Sequence, residues 1–324
     1  MKKRKYVFVG LYREYDKICF YDLRNDEKYI FMDGFYSNKI LDLLQKIMCS
    51  EFINSYYEIP FKEIFFFKFP KINRNDEVFF IFLQNSRWLL QYKNGKYIDY
   101  LHKNFVNGKI VLYLRDLVSN TKNYPYELLN RKCDYVISYD QGECKKFGFI
   151  NVKSYYSQIV NPLNFNIQYD VYFCGKAKGR EQELLKLYDK LSASGFICLF
   201  FITNVPKNKI IKRTGIIYNK SLSYKKNIEL LCKSKCILEV IQNGSTGETL
   251  RVMEAITYKK KLISNNDELK KQDYYNPSQI IIYKDSLSEK NIQDIRNNEV
   301  SYSTYKFNDF KNVIENLGRE NEKL

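Results

Sequence analysis

Histidine, tryptophan and alanine are nearly missing from this chain of 324 residues, which has one histidine (His102), one tryptophan and three alanines (Ala177, Ala193, Ala255). With a single histidine and eight cysteines that form no CxxC pair, a zinc site of ordinary ligand spacing is excluded and no metal is expected. Several cysteines fall inside apolar runs (Cys174 in VYFCG, Cys198 in ICLFF, Cys236 in CILEV), which reads as buried, reduced thiols in a reducing compartment. No apolar run reaches the roughly 18 residues of a membrane span, and MKKRKYVFVGLYREYD carries charges too soon for a signal peptide. A cytoplasmic protein is expected.

What is present is positive charge, with 53 Lys and Arg against 37 Asp and Glu, a net of +16. Part of this follows from a coding bias, since Lys, Asn, Ile, Tyr and Phe are abundant while alanine is scarce. No zinc finger, RNA-binding aromatic motif or helix-turn-helix pattern accompanies the charge. Anionic substrates and an anionic membrane surface are therefore expected as partners, and nucleic acid is not.

The length fits two domains, because a single core usually stops growing near about 250–300 residues. Continuous apolar runs alternate with helical patterns: strands at 6–10 (YVFVG), 77–83 (EVFFIFL), 109–114 (KIVLYL) and 135–138 (YVIS), helices at 38–49, 88–103 and 125–130. This pattern predicts a parallel sheet covered on both faces. Residues 151–168 lose the rhythm and read as a linker, placing the domains at 1–160 and 161–324. A second alternation follows: strand 170–174, helix 181–192, strands 197–202 and 215–218, helix 223–234, then CILEVIQNGSTGETLRVMEAITYKKKLISNN.

That last segment reads as strand, glycine-bearing turn, amphipathic helix and second strand. Backbone N–H groups at such a helix start can hold an anion. Ser245 and Glu248 form a capping-box pattern, and Arg251 and Glu254 follow within the helix. The 161–324 half also opens on a basic strand-to-helix turn, Gly175-Lys176-Ala177-Lys178-Gly179-Arg180. Either loop alone is a cap or turn. Both follow strands of one predicted sheet, where ligands collect at strand carboxyl ends.

FCGKAKGR together with ILEV-x-Q-x-G-x-x-G-x-TLR-x-MEA-x-x-x-KKKLI-x-NN resembles the donor-binding domain of bacterial glycosyltransferases of the GT-B fold, a group frequent in capsule and lipopolysaccharide assembly. KIVLYLRDLV and CDYVISYDQGECKKFGF resemble that group's N-terminal domain. The resemblance implies an α/β protein of two Rossmann-like domains facing across a cleft: an acceptor-binding domain first, a nucleotide-sugar-binding domain second. It implies sugar transfer to a glycan or lipid-linked glycan acceptor, at or near the inner membrane face. Donor phosphates are expected at Gly175, Lys176, Lys178 and Arg180 and at the helix start (Gln242, Thr246, Gly247, Thr249, Arg251), with ribose at Glu254.

The chain departs from that group in two respects. Many retaining members carry a glutamate eight positions before the one matched by Glu254, where this chain has Thr246, and many use an N-domain histidine, whereas His102 lies in a lysine-rich segment. An attacking hydroxyl must then lose its proton to a carboxylate, and Asp116 and Asp140, each following an N-domain strand, are the candidate bases, with a helix cap or turn as the competing role of each. No Asp-x-Asp occurs, so a metal-free reaction is expected, with protein cations and helix dipoles on the leaving diphosphate. A non-catalytic module of the same fold, or a basic nucleic-acid-binding protein, are the alternative readings.

Overall fold

The computed structural model describes residues 4–10, 14–32, 39–48, 50–54, 56–66, 69, 72–118, 125–153, 155–241, 248–297, 305–307 and 309–319. The chain forms two compact units, Met1–Lys153 with Asn316–Leu324, and Ser154–Glu315.

The first unit runs β1 (Arg4–Val9), α1 (Glu14–Cys19), β2 (Tyr29–Met32), α2 (Lys39–Met48), α3 (Glu51–Asn54), β3 (Glu77–Leu83), α4 (Arg87–Asn104), β4 (Gly108–Leu114), α5 (Tyr126–Lys132), β5 (Tyr135–Ser138), α6 (Gln141–Phe147) and β6 (Ile150–Asn151). Its strands make one parallel sheet in the order β2-β1-β3-β4-β5-β6, with Val7 opposite Phe80 and Phe80 opposite Ile110. Every residue from Val78 to Leu83 is buried, as a continuous apolar strand covered on both faces requires.

The helix expected over 88–103 is broken. Tyr92 leaves helical geometry, and Lys93, Asn94 and Gly95 take φ of 44°, 55° and 88°. Asn and Gly tolerate that left-handed region, and Glu63 secures the break by accepting from the Tyr92 hydroxyl (2.7 Å), Lys93 (2.8 Å) and Lys96 (2.8 Å).

The second unit runs β7 (Tyr169–Lys176), α7 (Glu181–Ala193), β8 (Cys198–Thr203), β9 (Ile216–Tyr218), α8 (Tyr224–Cys232), β10 (Ser234–Glu239), α9 (Leu250–Thr257), β11 (Lys261–Ser264), β12 (Ile280–Ile282) and α10 (Glu289–Arg296), and α11 (Asp309–Asn316) leads to the residues that rejoin the first unit. All pairs are parallel, in the order β12-β11-β10-β7-β8-β9. The chain builds outward from β7 through β8 to β9, then returns to place β10 on the other side of β7. That reversal leaves a crevice between the carboxyl ends of β7 and β10, the place where doubly wound sheets bind ligands. One apolar core lies under it, including Val171, Phe173, Leu184, Phe200, Leu238 and Ile263.

Candidate functional site

The two loops singled out in the sequence leave β7 and β10, the strands that flank the reversal. The first keeps its shape through backbone. Lys178 and Gly179 take φ of 48° and 84°, and the Ala177 amide donates to the Thr203 carbonyl at 2.8 Å. A Cβ at Gly175 would approach the Phe173 ring to 3.1 Å, so a larger residue there forces that ring to shift. Lys176 and Lys178 are exposed while Ala177 is fully buried, which turns both ammonium groups to the surface of the loop.

Arg180 points the other way. Its guanidinium donates to the carbonyls of Ala177 (3.0 Å), Lys176 (2.7 Å) and Val240, tying the end of β7 to the end of β10. Burial lowers its pKa, partly offset by Glu183 and Tyr283. Arg180 thus braces the crevice with three bonds to main-chain oxygen.

Gln242, Thr246 and Gly247, together with Ser245 of the capping-box pattern, lie outside the described residues. The helix they were expected to open begins at Leu250, with Thr249 as its N-cap: the Thr249 hydroxyl accepts from the Arg251 amide at 3.1 Å. Arg251 donates to the Cys174 carbonyl and forms an ion pair with Glu254 one turn along. Burial opposes the charge of Arg251, but the adjacent Glu254 carboxylate outweighs it and holds the guanidinium firmly protonated. Glu254 itself is fully buried; its second oxygen accepts from the Tyr224 hydroxyl at 2.7 Å and the Asn227 amide at 3.3 Å, and Asn227 accepts from Tyr172 at 2.9 Å. The helix face expected toward a ribose therefore closes on α8 and β7 in this structure.

A carboxylate that sequence reasoning missed sits beside them. Glu239, the last residue of β10, is buried and accepts from the hydroxyls of Thr249 and Ser264. Burial raises its pKa; the two hydroxyls and the nearby Arg251 and Arg180 offset part of that. The available signal was a single carboxylate at the end of the apolar run CILEVI, just before a glycine-bearing turn.

In the first unit Asp140 is buried as the N-cap of α6, accepting from the Glu143 amide at 2.9 Å. Asp116 is exposed after β4, and its backbone is fixed because the Arg115 and Asp116 amides both donate to Gln84 (2.8 and 2.6 Å). Arg115 pairs with Asp16 at 2.5 Å instead of with its neighbour Asp116. His102 bonds Asp134 at 2.9 Å, and Asp134 precedes β5 while its other partners, Lys109 and the Ile110 amide, belong to the start of β4. The lone histidine therefore stands at the amino edge of the sheet, opposite the strand ends that carry Asp116 and Asp140.

Among the described residues no group of three or more His, Cys, Asp and Glu side chains could hold a metal ion, and no helix is long and apolar enough to cross a membrane.

No protein-family model and no curated protein matches the chain. Solved structures do. An alpha-glucosyltransferase in complex with UDP-glucose and DNA containing an abasic site is 11% identical, covering 98% of this chain and 91% of its own, with a TM-score of 0.53. Alpha-glucosyltransferase in complex with UDP and a 13-mer DNA containing a HMU base is 11% identical (91% of this chain, 88% of that one, TM-score 0.52), and its complex with UDP and DNA containing a central A:G mismatch 12% (90% and 89%, TM-score 0.52). These structures correct one expectation: nucleic acid cannot be struck from the partners for want of a finger or helix-turn-helix motif, because proteins of this fold hold DNA without one. Phosphate contacts need distributed positive charge and no fixed sequence pattern, so the missing motifs carried no such exclusion. At these identities the likeness establishes architecture, and the chain has the two-domain α/β fold of GT-B glycosyltransferases.

Proposed function

We propose that this chain is a glycosyltransferase that binds a nucleotide-sugar at the β7–β10 crevice of its second unit. The observation that carries the reading is topological: the GKAKGR loop and the segment leading to α9 leave the two strands between which the chain order reverses. The exposed Lys176 and Lys178 and the first turn of α9 would take the donor's diphosphate, with Gln242, Thr246 and Gly247 on the same side. Arg180 and Arg251 would act indirectly, by fixing the strand ends. Glu254 would meet a ribose only if its present partners give way.

Transfer requires an acceptor oxygen to bond the anomeric carbon as the bond from that carbon to the diphosphate oxygen breaks, with the electron pair leaving on the diphosphate. Asp116 is proposed as the carboxylate that takes the acceptor's proton. The departing charge would be met by lysines and backbone N–H groups, without a metal.

The acceptor has two supported classes. The net charge of +16 and the DNA-bound structures of the same fold support a nucleic acid. The sequence resemblance to capsule and lipopolysaccharide enzymes supports a glycan on a lipid carrier. So does α2, where Ile40, Leu43, Leu44 and Ile47 share one face and are exposed, a surface suited to peripheral membrane contact. Incubating the protein with UDP-, GDP- and CMP-sugars and either duplex DNA or lipid-linked glycans, with mass spectrometry of the acceptor, tests the reading. Sugar added to one acceptor class supports it and selects the class. Nucleotide binding with no transfer across the panel identifies a non-catalytic module, and no nucleotide binding at all refutes the reading.

A further inference from the structure

The segment 242–247 lies between two ends that are each pinned by a buried or half-buried polar side chain. At its entry, the Ile241 amide donates to Asn265 Oδ1 at 2.8 Å. At its exit, the Thr249 hydroxyl donates to Glu239. Both pins lead away from the crevice into the sheet. The Asn265 amide nitrogen donates to Glu183 on the first turn of α7 (3.2 Å), which also accepts from Tyr283 (3.0 Å). Glu239 takes the Ser264 hydroxyl at the end of β11, and Ser264 Oγ accepts in turn from the Asn266 amide at 3.0 Å. A continuous hydrogen-bonded path thus runs from the Arg251 amide through Thr249, Glu239 and Ser264 to Asn266.

A buried carboxylate is a costly way to hold two strand ends together. A carboxamide or an apolar pair would do so without the desolvation of a charge. Glu239 accepts only, so it obliges both hydroxyls to donate toward it and leaves the Thr249 oxygen lone pairs to the α9 amides. The carboxylate thereby fixes which way the α9 N-cap is polarised.

We propose that Glu239 and Asn265 are positioning residues of the donor site, setting the exit and entry of the segment that contacts the nucleotide-sugar diphosphate. The inference rests on the donor site proposed above. Glu239 orients the α9 start through Thr249, and Asn265 couples the other end to α7, the helix that follows the Lys176–Lys178 loop. The two phosphate-binding loops are thereby held in one fixed relation.

Calorimetry of UDP and GDP binding to wild type, Glu239→Ala, Glu239→Gln, Thr249→Val, Thr249→Ser and Asn265→Ala tests this. Misplaced binding groups should weaken the preferred nucleotide about tenfold or more in Glu239→Ala, Thr249→Val and Asn265→Ala, while Thr249→Ser, which keeps the hydroxyl, stays within about threefold of wild type. Glu239→Gln should fall between them. Circular dichroism reports folding; if Glu239→Ala does not fold, Thr249→Val and Asn265→Ala, which each remove one side-chain contact, decide. Wild-type affinity in those variants overturns the inference. Absence of nucleotide binding by the wild type overturns the donor site itself.

Discussion

Arg251 and Glu254 form an ion pair across one turn of α9, closed on one side by the Cys174 carbonyl and on the other by Tyr224 and Asn227. The pair joins α9 to β7 and α8 through charge-assisted bonds, with Glu254 fully buried. Its first consequence is for stability. Glu254→Ala leaves a buried guanidinium without its counter-charge and should cost about 3–5 kcal/mol in chemical denaturation. A loss of ligand response in that variant would then report unfolding as much as lost recognition, so Glu254 is a poor single probe of donor binding.

Lys176 and Lys178 are the better probes. Both are exposed, so the double alanine variant should keep the wild-type melting temperature while nucleotide affinity falls about tenfold, with a weaker dependence on salt. Differential scanning fluorimetry and calorimetry at two ionic strengths check both halves.

Glu239 gives stability a pH dependence. Its folded-state pKa is raised by burial above the ordinary 4.5, so its contribution is fully present below that value and is lost as pH rises through the folded-state pKa. Glu239→Gln removes the titration. Relative to wild type, the variant should gain melting temperature as pH is raised above about 4.5, a difference absent at lower pH. A parallel pair of curves would show that Glu239 does not ionise differently on folding.

Asp134 works with the opposite sign. Burial opposes its ionisation, but His102, the Ile110 amide and Lys109 outweigh this and hold the carboxyl down at about 2. Its stabilisation is present above the ordinary 3.8 and is lost as pH falls from there through about 2. Asp134→Asn should therefore cost about 2 kcal/mol at neutral pH. His102→Ala should keep full transferase turnover, since the ring lies at the amino edge of its sheet.

The two candidate bases separate cleanly. Asp140→Ala removes a helix cap and should cost about 1 kcal/mol. Asp116→Asn changes an exposed side chain and should leave melting unchanged while abolishing turnover; retained turnover would move the base elsewhere.

The strands were legible because they are continuous apolar runs: 77–83 and 135–138 coincide with β3 and β5. Short elements were less so. β2, β6 and β12 have four residues or fewer, and α6 is marked only by its Asp140 cap, which was read as a catalytic candidate. The loops of the site were legible as loops, because glycine and polar residues follow apolar strands. What the side chains do there was not. Arg180, Arg251 and Glu254 looked available because their partners, Val240, Cys174, Tyr224 and Asn227, arrive from distant parts of the chain. The same holds for the lysine run at 259–261: Lys260 and Lys261 read as solvated charge, yet both are buried and donate to the carbonyls of Cys232 and Asp294. Local pattern locates a crevice; which charges remain free in it depends on tertiary partners.

The most direct test of a nucleotide-sugar site between β7 and β10 is calorimetric titration of the intact protein with UDP, GDP, CDP and CMP, then with the sugar conjugate of whichever binds. The account predicts saturable binding of one nucleotide, weakened by Lys176→Ala with Lys178→Ala. Absence of binding by every nucleotide, with DNA alone binding the protein, would contradict it.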